Sequence, residues 1–107
     1  MLIHEQKKFR VMKISVQSMG LTPHAPLEEH VEKKLNKLET YYDKIVECKV
    51  YLKVENKSDK ENKTAEVILA VPGDDIVVKK TTSSFEESLD QCAEVAKKLL
   101  IKKKELA

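Results

Sequence analysis

Between residues 26 and 44 the chain reads PLEEHVEKKLNKLETYYDK, and its apolar positions Leu27, Val31, Leu35, Leu38 and Tyr42 recur in steps of four, four, three and four. That period puts one apolar stripe on an α-helix running from Pro26 to about Asp43, with Pro26 suited to the first turn and no good cap among its predecessors, His24 and Ala25. The two flanks of the stripe differ: at about 100° per residue, Glu28, Glu32 and Glu39 fall on one side. His30, Lys33 and Lys37 fall on the other, with Lys34 at the stripe edge. Upstream, MKISVQS over Met12–Ser18 alternates with Met12, Ile14 and Val16 on one face, the pattern of a half-buried strand closed by Gly20 and the prolines Pro23 and Pro26.

Downstream, IVECKVYLKVE over Ile45–Glu55 alternates with Val46, Cys48, Val50, Leu52 and Val54 inward, and this is the strongest strand signal in the chain. A strand, a helix and a strand predict a parallel crossover. Residues 56–63, NKSDKENK, contain no apolar residue and predict a solvated loop. TAEVILAV over Thr64–Val71 predicts a third strand with Ala65, Val67, Leu69 and Val71 inward and Glu66, Ile68 and Ala70 outward. Pro72-Gly73-Asp74-Asp75 predicts a turn, and IVVKKTT over Ile76–Thr82 a fourth strand, antiparallel to the third, in which Lys79 and Lys80 discourage edge pairing. Ser83 or Ser84 caps a second helix, Ser84 with Glu87 three residues on being a capping-box pattern, and the helix carries an apolar stripe of Phe85, Leu89, Cys92, Ala96, Leu99 and Leu100. The order β-α-β-β-β-α, with one apolar face per element, predicts an α+β two-layer sandwich: a four-stranded mixed sheet with both helices on one face and the other face wet.

Length and charge narrow the reading further. A chain of 107 residues is one domain and can bury roughly two-thirds of its unfolded surface, enough for a core without metal or disulfide staples. Residues 12–107 carry all the patterned elements; residues 1–11 are expected to be a tail. Cys48 and Cys92 lie far apart in no metal-like spacing and read as buried thiols in a reducing compartment. Nothing approaches a membrane span or a secretory signal, so a cytoplasmic protein is expected. Basic residues number 20 against 18 acidic ones, so net charge is only +2 and the distribution carries the information. The second helix holds Glu86, Glu87, Asp90 and Glu94 in its first half and Lys97, Lys98, Lys102, Lys103 and Lys104 in its second. Dipole complementarity asks for part of that gradient, but not for so many lysines.

Catalytic patterns are lacking. There is no Gly-rich phosphate loop, no G-x-S-x-G, no H-E-x-x-H, and His4, His24 and His30 are not spaced as metal ligands. No enzyme, cofactor, metal or small-molecule substrate is expected. The basic surface remains: Lys33 and Lys37 on one helix flank and Lys98 and Lys102 on another would merge into one phosphate-neutralising surface if the helices lie side by side, with Lys79 and Lys80 added from the sheet edge.

Three stretches carry a family resemblance: Leu35-Asn36-Lys37-Leu38-Glu39-Thr40-Tyr41-Tyr42-Asp43-Lys44-Ile45, then Val50-Tyr51-Leu52-Lys53-Val54-Glu55, then Phe85-Glu86-Glu87-Ser88-Leu89-Asp90 with the basic run 97–104. Together they resemble the ribosome hibernation-promoting factor family, also called protein Y, ribosome-associated inhibitor or sigma-54 modulation proteins. The resemblance implies a fold like a double-stranded-RNA-binding domain with an added strand. It implies a monomeric, non-enzymatic partner of the small ribosomal subunit that occupies the messenger and transfer RNA channel and inhibits translation in stationary phase or stress. By position it implies RNA contacts at Lys34, Lys37, Lys44, Lys98, Lys102 and Lys104. Glu86, Val95 and Glu28 stand where members often carry Tyr, a basic residue and Arg, so the surface is less basic than in many relatives. The second, dimerising domain of long members is not expected here. The alternative from another class is a protein-interaction regulator using the open sheet face around Tyr51 and Ile68.

Overall fold

In the computed structural model, which describes residues 12–20, 24–56 and 58–106, the predicted order is found. The elements are β1 (Lys13–Met19), α1 (Ala25–Asn36), β2 (Glu47–Val54), β3 (Lys63–Ala70), β4 (Ile76–Thr82) and α2 (Phe85–Leu106). The sheet order is β1-β2-β3-β4, with β1 and β2 parallel and the other neighbours antiparallel. Parallel pairing needs a crossover between the strands, and α1 supplies it. The predicted tail, residues 1–11, and the Pro23 break lie outside the described residues. No described helix is long and apolar enough to cross a membrane.

The inward strand residues Cys48, Val50, Leu52, Ala65, Val67, Leu69 and Val78 are buried in one cluster with Leu27, Val31, Leu35 and Leu38 of the first helical segment and Leu89, Cys92, Ala96 and Leu100 of α2. Both helices therefore cover the same sheet face, as the alternation predicted. Ile14 and Val16 are only half-buried because β1 is an edge strand.

Several local expectations change. The first helix is shorter than its stripe: α1 ends at Asn36 and the chain tightens into one 3₁₀ turn over Lys37–Thr40. Leu38 and Tyr42 stay buried because such a turn keeps nearly the same side facing the sheet. His24 proves to be the cap: its extended backbone opens the helix and its Nδ1 accepts from the Leu27 N–H at 3.2 Å, while Pro26 occupies the first turn. A neutral imidazole offers the same acceptor that Ser or Asp would. Val46, expected inward, precedes β2 and is 69% exposed, and Ile45 is buried beside it; Val54, at the other end of β2, is also partly exposed. Leu99, expected in the stripe of α2, is 40% exposed.

Ser88 takes a place in the core that the apolar stripe did not foresee. Its hydroxyl donates to the Lys63 carbonyl at 2.7 Å and meets the Thr82 hydroxyl at 2.8 Å, and no atom of the side chain is left unsatisfied. Thr82 in turn donates to the Ser84 carbonyl at 2.7 Å, and Ser84 Oγ accepts from the Glu87 N–H at 3.1 Å, forming one arm of the predicted capping box. These hydroxyls join the ends of β3 and β4 to the start of α2.

Both cysteines are free and buried. Burial pushes the Cys48 thiol up to about 12 and the Cys92 thiol up to about 11, Lys80 opposing the rise at Cys92. Each stays protonated, and the Cys92 S–H points at the Ala65 carbonyl at 3.4 Å. Because the folded thiols hold their protons above the ordinary thiol value of 9.0, they cost no stability below about pH 9, and stability falls as pH rises from there toward 12.

Ser88→Ala is expected to lower stability by about 1–3 kcal/mol, since the Lys63 carbonyl loses its buried donor; urea unfolding should show a lower midpoint at unchanged slope. At pH 8 the two thiols should react with a disulfide reagent only as fast as the protein opens, whereas surface thiols would react at once.

Candidate nucleic-acid interface

The geometry of the helix pair decides where the lysines go. His30 meets Asp90 and Lys97 lies over Tyr41, so positions rise together along both segments and the helices run parallel. At about 100° per residue, the side of α2 facing α1 carries Asp90, Ala93, Glu94 and Lys97. The flank of α1 facing α2 carries His30 and Lys34. The contact is thus basic against acidic: His30 Nε2 donates to Asp90 Oδ1 at 2.8 Å, and Lys34 Nζ stands 3.5 Å from the same oxygen.

Between the two segments lies a groove lined by Lys34, Lys37, Tyr41, Asp90, Glu94 and Lys97 over a floor of Leu38 and Ala93. The Lys97 ammonium sits 5.0 Å from the centre of the Tyr41 ring. Of the expected residues, the structure brings Lys34 and Lys37 together here, with Lys97 added. It does not bring Lys98 and Lys102 to the same flank. Lys98 projects outward from α2, and Lys102 lines a separate cleft with Val77, Leu99, Leu106, Asp74 and Asp75 on the β4 side. The expected merging of flanks fails because the face of α2 turned toward α1 is set by Leu89, Cys92, Ala96 and Leu100, and Lys102 falls on the other side of that stripe.

The lysines gather in another way. Lys44, beyond the first helical segment, shares a cleft with Lys103 and Leu106 of the last turns of α2. Lys98, Lys102 and Lys104 are exposed on those same turns. Parallel helices place both carboxyl ends at one end of the molecule, and the lysines collect there. Glu28, Glu29, Glu86 and Glu87 belong to the opposite end, while Asp74 and Asp75 intrude on the lysine end and Asp43 and Glu105 are exposed beside Lys44 and Lys104. Lys33 is exposed on the outer side of α1. Lys79 lies on the open sheet face, in the row Gln17, Tyr51, Glu66, Lys79, so it does not join the helical lysines; Lys80, one residue on, points to the helix side at the sheet edge. Among the described residues no cluster of His, Cys, Asp and Glu could hold a metal ion.

Residues 14–106 match the family described as sigma 54 modulation protein / S30EA ribosomal protein. The chain belongs to that family. Relatives of this S30EA-family chain include a protein of Pseudomonas putida named ribosome hibernation promoting factor, 28% identical over 94 residues that make up 88% of each chain. Among solved structures, the protein Y N-terminal domain of Thermus thermophilus superposes with a TM-score of 0.74 at 23% identity, covering 85% of this chain and 98% of that one. A ribosomal subunit interface protein of Coxiella burnetii superposes at 0.77 with 21% identity, covering 88% and 99%. At these identities the structural matches speak for the fold, which all three chains share.

In this family member four polar groove residues were not expected at the site: Tyr41, Asp90, Glu94 and Lys97. Tyr41 stood in the quoted motif and Lys97 in the basic run, but only the helix contact shows that they meet.

The His30–Asp90 clasp is partly exposed, the two side chains at 26% and 44%. A double-mutant cycle of His30→Ala and Asp90→Ala, read by thermal unfolding near neutral pH and low salt, should give a coupling of about 0.5–1 kcal/mol that shrinks as salt is added.

Proposed function

We propose that the protein is a ribosome hibernation factor: a non-catalytic binder that lies in the messenger and transfer RNA channel of the small subunit and blocks translation there. Membership of the S30EA family and the name of the Pseudomonas putida relative support ribosome association. The single observation that carries the mode of binding is the collection of lysines at the carboxyl ends of two parallel helices, Lys44 with Lys98, Lys102, Lys103 and Lys104, continued along the groove by Lys37 and Lys97. Several ammonium groups on one end can neutralise several ribosomal RNA phosphates without reading sequence. Held there, the fold itself is the obstacle to messenger and transfer RNA, and no reactive group is needed. The protein acts in the cytoplasm, where its partner is.

The open sheet face supports the second reading, a regulator that binds another protein. Met19 and Val77 are 61% and 54% exposed there, and Tyr51 and Ile68 are half-buried between them. A pull-down separates the two: small-subunit proteins and RNA support the first reading, and one stoichiometric protein free of RNA supports the second.

The triple variant Lys98→Glu, Lys102→Glu, Lys104→Glu should lose co-sedimentation with small subunits while keeping its circular dichroism and melting curve. Lys49→Glu with Lys53→Glu, on the open face, should sediment as wild type. Wild-type affinity should fall linearly with the logarithm of salt, and a single neutralised contact, Lys102→Gln, should lower that slope by about 1. Unaltered sedimentation of the triple variant would remove the lysine end as the docking surface.

A further inference from the structure

The groove between the helices holds something a phosphate surface does not need: an aromatic face and a carboxylate without an ion-pair partner. Asp90 is engaged by His30 and Lys34, whereas Glu94, one turn further, is exposed and makes no ion pair with any described residue. Across from it the half-buried Tyr41 ring lines the groove, with the Lys97 ammonium 5.0 Å from its centre. The space amounts to about 120 Å³, well below the roughly 300–1,000 Å³ of sites that enclose a whole small molecule. It suits one planar ring whose sugar and phosphate stay outside, beside Lys37.

We infer that this groove is a nucleobase site and that its base is guanine. The inference rests on the ribosomal reading in taking RNA as the natural source of the base. Unstacked bases are commonly held by stacking on an aromatic ring, and an exposed ammonium over a phenol ring is the weaker of the two interactions, so a base displaces Lys97 from Tyr41. Hydrogen-bonding complementarity selects the base. A carboxylate offers only acceptors. Guanine presents two adjacent donors, N1–H and the N2 amino group, on its Watson–Crick edge, and Glu94 can accept from both. Adenine and cytosine set one amino donor beside an acceptor nitrogen, and uracil sets one N–H between two carbonyls, so each confronts the carboxylate with like charge. The displaced Lys97 and the neighbouring Lys37 are left to meet the phosphate or guanine O6, which are acceptors.

The site is tested with the whole protein and two kinds of probe. In the first, GMP, AMP, CMP and UMP are titrated separately while the Tyr41 ring resonances are followed by NMR. In the second, an oligouridylate with one central guanosine is compared with the all-uridine oligomer. A preference of about tenfold for guanine is expected, in keeping with one two-donor base contact. Glu94→Gln, an exposed and nearly isosteric change that spares the fold, should reduce the preference to near unity, and Tyr41→Leu, which keeps apolar bulk, should weaken all bases about tenfold or more. Guanine preference with free GMP shows that a free nucleotide suffices; preference with the oligomer alone assigns the site to RNA. Either result supports the inference. Equal binding of all bases, an unchanged preference in Glu94→Gln, or no movement of the Tyr41 resonances with any probe overturns it. Co-sedimentation of the wild type with small subunits is scored separately. If it persists while guanine is not preferred, the base site fails and the ribosomal reading stands; guanine selectivity without co-sedimentation gives the converse.

Discussion

The parallel course of the two helices is the constraint on which the rest of the molecule depends. β1 and β2 run parallel, so α1 must return antiparallel to both. Two hairpin connections then bring β4 into the same direction as β1, and α2 must return as α1 did. The helices are left side by side with their dipoles aligned rather than opposed, an arrangement that stacks partial negative charge at one end and partial positive charge at the other. Acidic residues in the first turns and lysines in the last turns relieve that electrostatic cost at both ends. Lys103 and Lys104 of α2 are then displayed at the lysine end as well, whereas Lys33 and Lys34 of α1 are not. In Lys103 and Lys104 a stability requirement and the proposed binding surface coincide.

How much of this was legible in the sequence follows from which interactions are local. Period-two alternation marked β3 almost to the residue, because each inward position meets the same core face, whereas β4, an edge strand whose IVVKKTT does not alternate cleanly, was delimited by the Pro72-Gly73 turn before it and the serines after it. The helix stripes were legible for the same reason, and Ser84 with Glu87 announced the start of α2. What could not be read was the rotation of one helix against the other. Lys102 looks equivalent to Lys98 and Lys104 along the chain, and it lies toward β4 only because Leu89, Cys92, Ala96 and Leu100 fix which side of α2 meets the sheet. Ser88 was illegible as a core residue because its burial is made acceptable by Lys63, distant in sequence, and by Thr82 across the turn from β4. His24 escaped as a cap because imidazole is a rare substitute for the usual hydroxyl or carboxylate, and the length of the first helix was overread because a 3₁₀ turn preserves its stripe.

A net charge of +2 is compatible with a polyanionic partner once charge is placed in space. Over distances longer than about 8 Å at physiological ionic strength, exposed charges are screened from one another. A phosphate chain approaching the lysine end therefore responds mainly to Lys98, Lys102 and Lys104, and little to Glu28 or Glu86 at the far end. The acidic end still matters for orientation: it is repelled by the same polyanion, so an encounter is biased toward the productive direction even though the sum of charges hardly attracts.

Asp90 shows where structural and binding demands compete. It draws His30 and Lys34 into the helix contact, tying α1 to α2, and thereby withdraws Lys34 from any phosphate that approaches the groove. A residue of opposite charge at that position would release Lys34 but set a further cation against it and beside His30 between packed helices. Lys37, one turn beyond Lys34 and without a carboxylate partner among the described residues, is left as the groove's free cation on α1's side. The division of labour between adjacent lysines follows from one aspartate placed opposite the first of them.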